Sequence, residues 1–372
     1  MTAPTPPPVS TPDHAEAKVW RTAELLRWIR DHLDARGVDS PRVCAELLLS
    51  SVFACDRLRL YMEPQRPASE AERTRLRELV ARAARHEPVQ HLVGEAWFLA
   101  RPFHVASEVL VPRPATETLV GEALAWIRGR PAEETVRALD LGTGSGCIAI
   151  SLALDARTPE RRSDAWLATL EARAAEAASA RAGTDETVGD DPLATMSSPN
   201  ADAELESAED AAMAPDPAPS RLRAGPSIEV VATDLEPGAI EIARRNAARH
   251  EVSERVEFAV GDLFEPVAGR RFDLICANPP YIDDARWAEV PANVRFEPEV
   301  ALRGGADGLA VLRRLVTAAP EHLRPGGAIL LEFQFDQAAR IRDLLAESGF
   351  AGIRIVPDHE GHDRVAIACR PE

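Results

Sequence analysis

The sequence is short of cysteine, of basic residues and of long apolar segments, and each shortage excludes a class of protein. Its five cysteines are scattered and lack a C-x-x-C pair, so neither a disulfide framework nor a metal site is expected. No stretch approaches the roughly 18 apolar residues that a membrane-spanning helix needs. The N-terminus lacks the basic start and apolar core of a signal peptide. A cytoplasmic monomer without membrane contact is therefore expected.

Acidic residues outnumber basic ones by 60 to 43 among the 372 residues, which gives a net charge of -17. A protein that grips duplex nucleic acid through many phosphate contacts needs a basic surface, so direct nucleic-acid binding is not expected. The excess is unevenly placed, because the segment between Asp155 and Gly225 has fifteen acidic residues against seven arginines. About half of the net charge therefore comes from this one segment.

Composition and periodicity divide the chain into four parts. Residues 1–14 are a proline-rich arm that is predicted to be disordered. Between 15 and 86, apolar residues recur at spacings of three and four, which predicts a small all-α domain that serves either substrate docking or packing alone. Residues 87–114 are rich in β-branched and aromatic residues and are broken by Gly and Pro, which predicts a β-hairpin connector. Residues 115–372 make up the fourth part.

The fourth part alternates strand-like and helix-like segments. Seven strand segments are expected, and the last two, Ile353–Val356 and Arg364–Cys369, should pair antiparallel at a sheet edge. This alternation is typical of a doubly wound α/β domain with a Rossmann-like, mostly parallel sheet.

An acidic stretch at about 155–226 interrupts this domain. It is rich in Ala, Ser and Pro and cannot bury enough apolar surface to order itself, which predicts a low-complexity surface insertion. In folds of this class, an acidic residue that binds ribose hydroxyls follows the glycine turn by about 20 residues. Asp234 lies 94 positions after Asp140, but only 22 once these 72 residues are set aside. Asp234 is therefore the predicted ribose ligand.

Three strand ends predict a cofactor pocket. Residues 135–150 have the pattern of a strand, a glycine-rich turn and a helix, and glycines let the backbone approach a ligand closely. Asp234 and the Asp262–Leu263 pair end the next two strands, where they would meet ribose and adenine. The predicted cofactor-binding residues are Asp140, Gly142, Thr143, Gly144, Ser145, Gly146, Asp234, Asp262, Leu263 and Asn278.

A fourth strand end predicts the acceptor site. The buried strand Phe272–Ala277 must stop at Asn278-Pro279-Pro280-Tyr281, because proline cannot donate to a sheet ladder. The Asn278 side-chain oxygen and the Pro279 carbonyl can each accept from one NH2 group, which would orient its nitrogen and stabilise developing positive charge. Asn278 and Pro279 are the predicted catalytic residues. Substrate binding is assigned to all four, with the Tyr281 ring packing on the flat acceptor group.

The four strand ends together resemble those of class I methyltransferases that use S-adenosylmethionine. More specifically, the sequence is similar to the HemK/PrmC family, whose members methylate the glutamine side-chain amide of peptide-chain release factors. The resemblance rests on PVQHLVGEAWF at 88–98, VLVPRPATETLV at 109–120, LDLGTGSG at 139–146, NPPYI at 278–282 and RFEPEVALRGGADGL at 295–309. It implies S-adenosylmethionine as the cofactor and class 1 release factors as partners, with Asn278 and Pro279 holding the amide of the Gly-Gly-Gln loop.

Two features depart from the family pattern. One is the insertion, and the other is Phe333-Gln334 after Glu332, where glycine more usually follows the glutamate. Around the predicted pocket, Arg113 and Glu117 either line the substrate entrance or cap a helix, and Glu297 is expected to anchor its own loop.

Three other functions share parts of this pattern. A ribosomal-protein glutamine methyltransferase would also carry NPPY, but the helical N-terminal part and the VPRPATE and RFEPE stretches favour release factors. Adenine N-methylation of nucleic acid is disfavoured by the acidic balance and the lack of a target-recognition domain. A non-catalytic cofactor-binding module would require a broken motif, and no cofactor motif is lost.

Overall fold

The computed structural model describes residues 19–156 and 226–372, which divide into two compact units. The first contains the described residues up to Glu95 together with Val290–Glu297, and the second contains the remainder. The sequence predicts neither the boundary at Glu95 nor the grouping of Val290–Glu297 with the first unit. The proline-rich arm and nearly all of the predicted insertion lie outside the described residues. Within the described ranges, no helix is long and apolar enough to cross a membrane.

The first unit is helical, as predicted. Its described helices are α1 (Thr22–Asp34), α2 (Pro41–Phe53), α3 (Arg57–Met62), α4 (Glu70–Ala83) and α5 (Val89–Val93). Helix α4 begins with a capping box in which Ser69 and Glu72 exchange hydrogen bonds with each other's backbone N–H groups. Leucines and other apolar residues from these helices form one buried cluster. The apolar spacing of three and four therefore marks the inward faces of the helices.

The predicted hairpin connector is only partly a hairpin. Its first residues form helix α5, and the strands β1 (Glu95–Phe98) and β2 (Arg101–His104) follow. Leu99 and Ala100 turn the chain between them with positive φ angles of 47° and 57°. The Glu117 carboxylate accepts from the Leu99 N–H at 2.8 Å. The prediction that a hairpin starts at residue 87 was wrong, because a short β-branched run does not distinguish a strand from a helical turn.

The second unit contains the predicted seven-stranded sheet. Its strands are β3 (Thr135–Leu141), β4 (Ser227–Asp234), β5 (Val256–Val260), β6 (Phe272–Ala277), β7 (Leu323–Glu332), β8 (Ala351–Pro357) and β9 (Asp363–Cys369). They lie in the order β5-β4-β3-β6-β7-β9-β8. The first five strands in that order are parallel, and β9 pairs antiparallel with both β7 and β8. The doubly wound sheet and the antiparallel edge pair are both confirmed.

Helices cover both faces of this sheet. They are α6 (Pro114–Arg128), α7 (Cys147–Asp155), α8 (Pro237–Arg249), α9 (Ala310–His322) and α10 (Ala338–Glu347). Alternate strand residues enter two separate clusters: Ala138 of β3 packs in the cluster with α6 and α7, whereas Leu139 packs with α9 and α10. Because successive side chains of a strand point to opposite faces, a strand buried on both faces is apolar throughout. This explains the continuous apolar runs of the sequence.

The insertion leaves and rejoins the fold near the amino-terminal ends of the strands, away from their carboxyl-terminal ends. Helix α7 runs back from the end of β3 to the start of β4, as a parallel crossover must. Asp155 at the end of α7 is held by Arg101 through two hydrogen bonds of 2.7 and 2.8 Å. Ser227 at the start of β4 donates its N–H to the Glu134 carbonyl at 3.2 Å. These hydrogen bonds therefore hold both flanks of the insertion at the side of the sheet where the strands begin.

We expect a chain that lacks residues 160–222 to fold and to keep its activity. The deletion leaves six residues between Ala156 and Pro226, which is within the usual length of such connections, and loop length contributes little to stability. Thermal unfolding and methyl transfer from S-adenosylmethionine, each compared with the intact chain, check this. A deletion variant that melts cooperatively but transfers no methyl group would show that the insertion contributes to the site.

Candidate active site

A cavity of about 500 Å³ opens where β3, β4 and β6 end, entirely within the second unit. A volume of this size is typical of small-molecule sites, and strand ends on either side of the central strand are where doubly wound sheets bind ligands. Ten of the predicted site residues line it: Gly142, Thr143, Gly144, Ser145, Asp234, Asp262, Leu263, Asn278, Pro279 and Pro280. Asp140, Gly146 and Tyr281 are absent from its lining.

Backbone N–H groups of the glycine loop between β3 and α7 donate hydrogen bonds to carbonyls of the chain itself. Gly142, Gly144 and Gly146 have positive φ angles of 71°, 54° and 83°. The N–H groups of Gly142 and Thr143 both donate to the Thr233 carbonyl at 2.9 Å, and that of Gly146 donates to Thr143. These N–H groups are not available to a phosphate, unlike those of a phosphate-binding helix N-terminus. The loop therefore suits a ligand that packs on it without a phosphate group.

The glycines differ in what surrounds them. A Cβ atom added at Gly142 or Gly144 would meet no heavy atom within 4 Å. At Gly146 it would lie 2.9 Å from Ile150 Cδ1 and 3.1 Å from Ala243 Cβ. Gly146 is thus required for packing of helix α7, whereas the first two leave open space for a ligand.

Asp140 lies beneath the loop instead of facing the cavity. Its side chain is fully buried, and one oxygen accepts from the Thr143 hydroxyl at 2.6 Å and from the Ala149 N–H at 3.2 Å. Burial raises the pKa of Asp140 to about 7, against the effect of these hydrogen bonds. The prediction that Asp140 binds the cofactor directly has no support in this geometry. It instead holds Thr143, which does line the cavity.

Asp234 is placed for the predicted role. It ends β4, lines the cavity and accepts from the Gly144 N–H at 2.8 Å and the Glu236 N–H at 3.0 Å, one on each carboxylate oxygen. Burial raises the pKa of this carboxyl as well. Each ionised carboxylate oxygen can accept more than one hydrogen bond, so Asp234 keeps capacity for ligand hydroxyls.

Asp262 and Leu263 follow β5 on the same wall. The Asp262 carboxylate forms an ion pair with Arg314 of helix α9, and both residues line the cavity. Leu263 has a positive φ of 47° and packs against the buried cluster on that face of the sheet. The sequence did not predict Arg314, because its contact with Asp262 joins positions 52 residues apart.

Asn278 and Pro279 form the opposite wall. The Asn278 side-chain nitrogen donates to the Thr116 hydroxyl of helix α6 at 3.1 Å. Among the described residues, none donates to its side-chain oxygen or to the Pro279 carbonyl. Both residues line the cavity, and the two predicted acceptor atoms have no competing donor among the described residues. Thr116 also lines the cavity, a position within the VPRPATE stretch that the sequence analysis did not single out.

Tyr281 does not face the cavity as predicted. Its ring packs against the buried cluster beside β7, and its hydroxyl donates to Glu332 at 3.3 Å. Burial, with the nearby Glu332 charge, raises the pKa of the Tyr281 hydroxyl. Tyr281 therefore supports the site from behind.

The remaining predicted positions also divide into residues that line the cavity and residues that do not. Arg113 lines the cavity at the start of helix α6, whereas Glu117 holds the β1–β2 turn and does not line it. Phe333 is fully buried in the core, and the Gln334 N–H donates to the Gln337 side chain at 3.1 Å. Neither Phe333 nor Gln334 is part of the cavity wall. Glu297 belongs to the first unit and is buried there.

A second loop holds the segment that follows the prolines. The Ile282 N–H donates to the Leu302 carbonyl at 2.9 Å, and the Ile282 carbonyl accepts from Gly304 at 2.8 Å. The Gln337 side chain donates to the Tyr281 carbonyl at 2.9 Å. Gly308 passes so close that an added Cβ would lie 2.4 Å from that carbonyl oxygen and 2.5 Å from the Gln337 nitrogen. The RGGADGL stretch therefore fixes the acceptor wall through backbone contacts.

We expect Gly308→Ala to destabilise the second unit more than Gly349→Ala does. Both glycines have positive φ angles, 73° and 83°, but a Cβ at Gly349 would meet nothing within 4 Å. Both substitutions share a backbone cost of about 1–2 kcal/mol, and overpacking adds roughly 1–3 kcal/mol at Gly308 alone. Unfolding in urea measures the difference. Equal losses of stability would contradict the close contact with Tyr281.

The donor set fits S-adenosylmethionine. A carboxylate ends β4, two glycines face open space, and the N–H groups of Gly142, Thr143, Gly144 and Gly146 are already bonded within the chain. Asp234 and Glu236 add carboxylates to this side of the cavity wall, whereas the Asp262 carboxylate is paired with Arg314, and the unpaired carboxylates suit a ligand with hydroxyls and a positively charged sulfonium.

Comparisons with known proteins identify the family. Residues 24–94 match the family described as PrmC N-terminal domain, and residues 219–293 match the Methyltransferase small domain. Among solved structures, the chain resembles a release factor-specific protein-(glutamine-N5) methyltransferase from Alicyclobacillus acidocaldarius, with 25% identity and a TM-score of 0.33, covering 73% of this chain and 100% of that one. It also resembles a 16S rRNA N2 G1207 methyltransferase from T. thermophilus, with 19% identity and a TM-score of 0.41, covering 74% of this chain and 49% of that one.

Curated relatives match the chain almost from end to end. A release factor glutamine methyltransferase from Geobacter sulfurreducens is 33% identical over 349 residues, covering 94% of this chain and 96% of that protein. Another from Chlorobaculum tepidum is 32% identical over 361 residues, covering 95% and 98%. Since the similarity spans both the helical unit and the methyltransferase unit, the chain belongs to the family of release factor glutamine methyltransferases.

Proposed function

We propose that this protein transfers a methyl group from S-adenosylmethionine to the side-chain amide nitrogen of the glutamine in the Gly-Gly-Gln loop of class 1 release factors. Its family membership supports this assignment. The structural observation that carries it is the pair Asn278 and Pro279, which line the same cavity as the glycine loop and whose oxygens Oδ1 and O accept no hydrogen bond from the described residues.

The cofactor half of the cavity would hold the adenosyl group. The Asp234 carboxylate accepts from the ribose hydroxyls, and the open faces of Gly142 and Gly144 allow close packing. Asp262 and Leu263 offer an acceptor edge and an apolar face for the adenine. When bound, S-adenosylmethionine supplies an electrophilic methyl group on a sulfonium.

The acceptor half orients a weak nucleophile. A glutamine amide nitrogen is neutral and its lone pair is delocalised, so alignment contributes more than a general base would. One N–H of the NH2 group donates to Asn278 Oδ1 and the other to the Pro279 carbonyl, which fixes the nitrogen in place. Such positioning is worth at most about 7–11 kcal/mol, and both oxygens also stabilise the positive charge that develops on the nitrogen.

The identity of the methylated macromolecule distinguishes this function from its nearest alternatives. The purified protein is incubated with labelled S-adenosylmethionine and with a class 1 release factor, a ribosomal protein or DNA in parallel. We expect label on the release factor only, and on its Gly-Gly-Gln glutamine when the product is digested and sequenced. Label in the ribosomal protein alone, in DNA alone or in none of them would refute the proposal.

We expect Asn278→Ala to abolish methyl transfer while the affinity for S-adenosylmethionine changes by less than about tenfold, or roughly 1.4 kcal/mol. The side chain holds the substrate amide, whereas the cofactor is held mainly by residues of β3, β4 and β5. Turnover assays and calorimetric titration of the cofactor measure the two effects separately. Unchanged turnover would remove Asn278 from the mechanism.

A further inference from the structure

Helix α9 contacts the loop that follows β5 on both sides of Leu263. Its Arg314 forms an ion pair with Asp262, and its last residue, His322, stacks on the ring of Phe264 with centroids 4.3 Å apart and an interplanar angle of 7°. Strand β5 lies at the edge of the sheet and has a neighbouring strand on one side only. Helix α9 therefore adds contacts that the sheet itself does not supply to this loop.

Leu263 has a backbone conformation that needs such support. Its φ of 47° lies in the left-handed region, which is unfavourable for a residue with a bulky side chain. Such conformations persist where neighbouring contacts determine them, and they cluster at ligand-binding sites. Leu263 lines the cavity, and the two residues that flank it are the ones that helix α9 contacts. This indicates a loop that presents Leu263 and Asp262 to a ligand.

We propose that Arg314 is a positioning residue that fixes the Asp262 carboxylate to recognise the 6-amino group of the cofactor's adenine. This inference rests on the proposed function, which places Asp262 and Leu263 against the adenine. Arg314 acts through Asp262, because it holds one carboxylate oxygen and leaves the other to the ligand.

The hydrogen-bonding capacities of the two side chains support this division. Arg314 can only donate hydrogen bonds, and it donates to Oδ2 of Asp262. Among the described residues, none donates to the other oxygen, Oδ1, and Asp262 lines the cavity. An oxygen that can only accept matches the NH2 group at position 6 of adenine, and it repels the carbonyl oxygen that hypoxanthine has there. A carboxylate held in this way therefore selects an amino purine over an oxo purine.

A neighbouring ion pair provides a matched control. Arg313, the preceding residue of helix α9, pairs with Asp307, and neither lines the cavity. The side chains are exposed to a similar extent: 58% for Arg314 and 33% for Asp262, against 49% for Arg313 and 41% for Asp307. Exposed pairs of this kind contribute little to stability, so removing either arginine should leave the protein folded. Only the pair at the cavity should influence the cofactor.

Leucine variants test whether Arg314 affects the cofactor. S-adenosylhomocysteine, the product that remains after methyl transfer, is titrated into the full chain by calorimetry in the absence of a release factor. We expect Arg314→Leu to weaken its binding about tenfold, because one charge-assisted hydrogen bond loses its orientation, and Arg313→Leu to stay within about twofold of wild type. Wild-type affinity in Arg314→Leu, or an equal loss in Arg313→Leu, would overturn the proposal.

A nearly isosteric change at Asp262 tests the orientation itself. In Asp262→Asn, Arg314 still only donates and therefore takes the amide oxygen, which leaves the NH2 group for the ligand. That group donates, so it matches the oxo group of S-inosylhomocysteine in place of the amino group of S-adenosylhomocysteine. We expect the wild type to bind the adenosyl compound at least about tenfold more tightly, and Asp262→Asn to prefer the inosyl compound.

The double variant identifies Arg314 as the residue that sets this preference. In Asp262→Asn combined with Arg314→Leu, the amide can turn either end toward the ligand, because its terminal torsion has two broad minima. We expect the two compounds to bind with affinities within about threefold of each other. An adenosyl preference that survives in Asp262→Asn, or an inosyl preference that survives without Arg314, would contradict the proposal.

These titrations are independent of the acceptor substrate. A wild type that binds both compounds equally would refute the role of Asp262 and Arg314 even if the release factor is methylated. Conversely, an inverted preference in Asp262→Asn would support that role even if the release factor is not methylated. The two proposals can therefore fail separately.

Discussion

The site depends on the way in which β6 ends. Two consecutive prolines provide no N–H groups, so the ladder between β6 and β7 cannot continue past Ala277 and Leu331. After the chain leaves the sheet, no described residue donates a hydrogen bond to the Pro279 carbonyl. Three residues later, Ile282 forms backbone hydrogen bonds with Leu302 and Gly304. A carbonyl that is rigid and unsatisfied is what an incoming NH2 group requires. The same two prolines thus end the strand and create an acceptor.

The order of the strands brings the two halves of the chemistry together. β3 is the central strand, with β4 on one side and β6 on the other. Leu139 lies level with Val231 of β4 and Ile275 of β6, so the three strands end at the same level. The glycine loop, the predicted ribose ligand Asp234 and the predicted acceptor Asn278 therefore converge without any long connection. The 155–226 insertion enters and leaves at the opposite edge, which is why it separates two motifs in sequence but not in space.

Much of this arrangement could be predicted from the sequence, because continuous apolar runs, proline and glycine act locally. Those signals located the seven strands. The number of positions from Asp140, counted without the insertion, identified Asp234. What could not be predicted depends on contacts between distant segments. Thr116 meets the Asn278 side chain from a position 162 residues away in the chain. Likewise, Asp140 and Tyr281 belong to motif stretches, but only their burial shows that they support the wall and do not form it.

Both sides of the cavity are supported by a buried carboxyl group that accepts a hydrogen bond from a hydroxyl. At the end of β3, the buried Asp140 accepts from the Thr143 hydroxyl; at the end of β7, the buried Glu332 accepts from the Tyr281 hydroxyl. Each carboxylate keeps one oxygen without a partner among the described residues, and burial raises the pKa of both. Because a carboxylate only accepts, it leaves a hydroxyl one possible direction for its proton. A neutral amide in its place would permit either direction. Burying these two carboxyl groups is thus linked to a gain in orientation, of Thr143 in the glycine loop and of Tyr281 behind the two prolines.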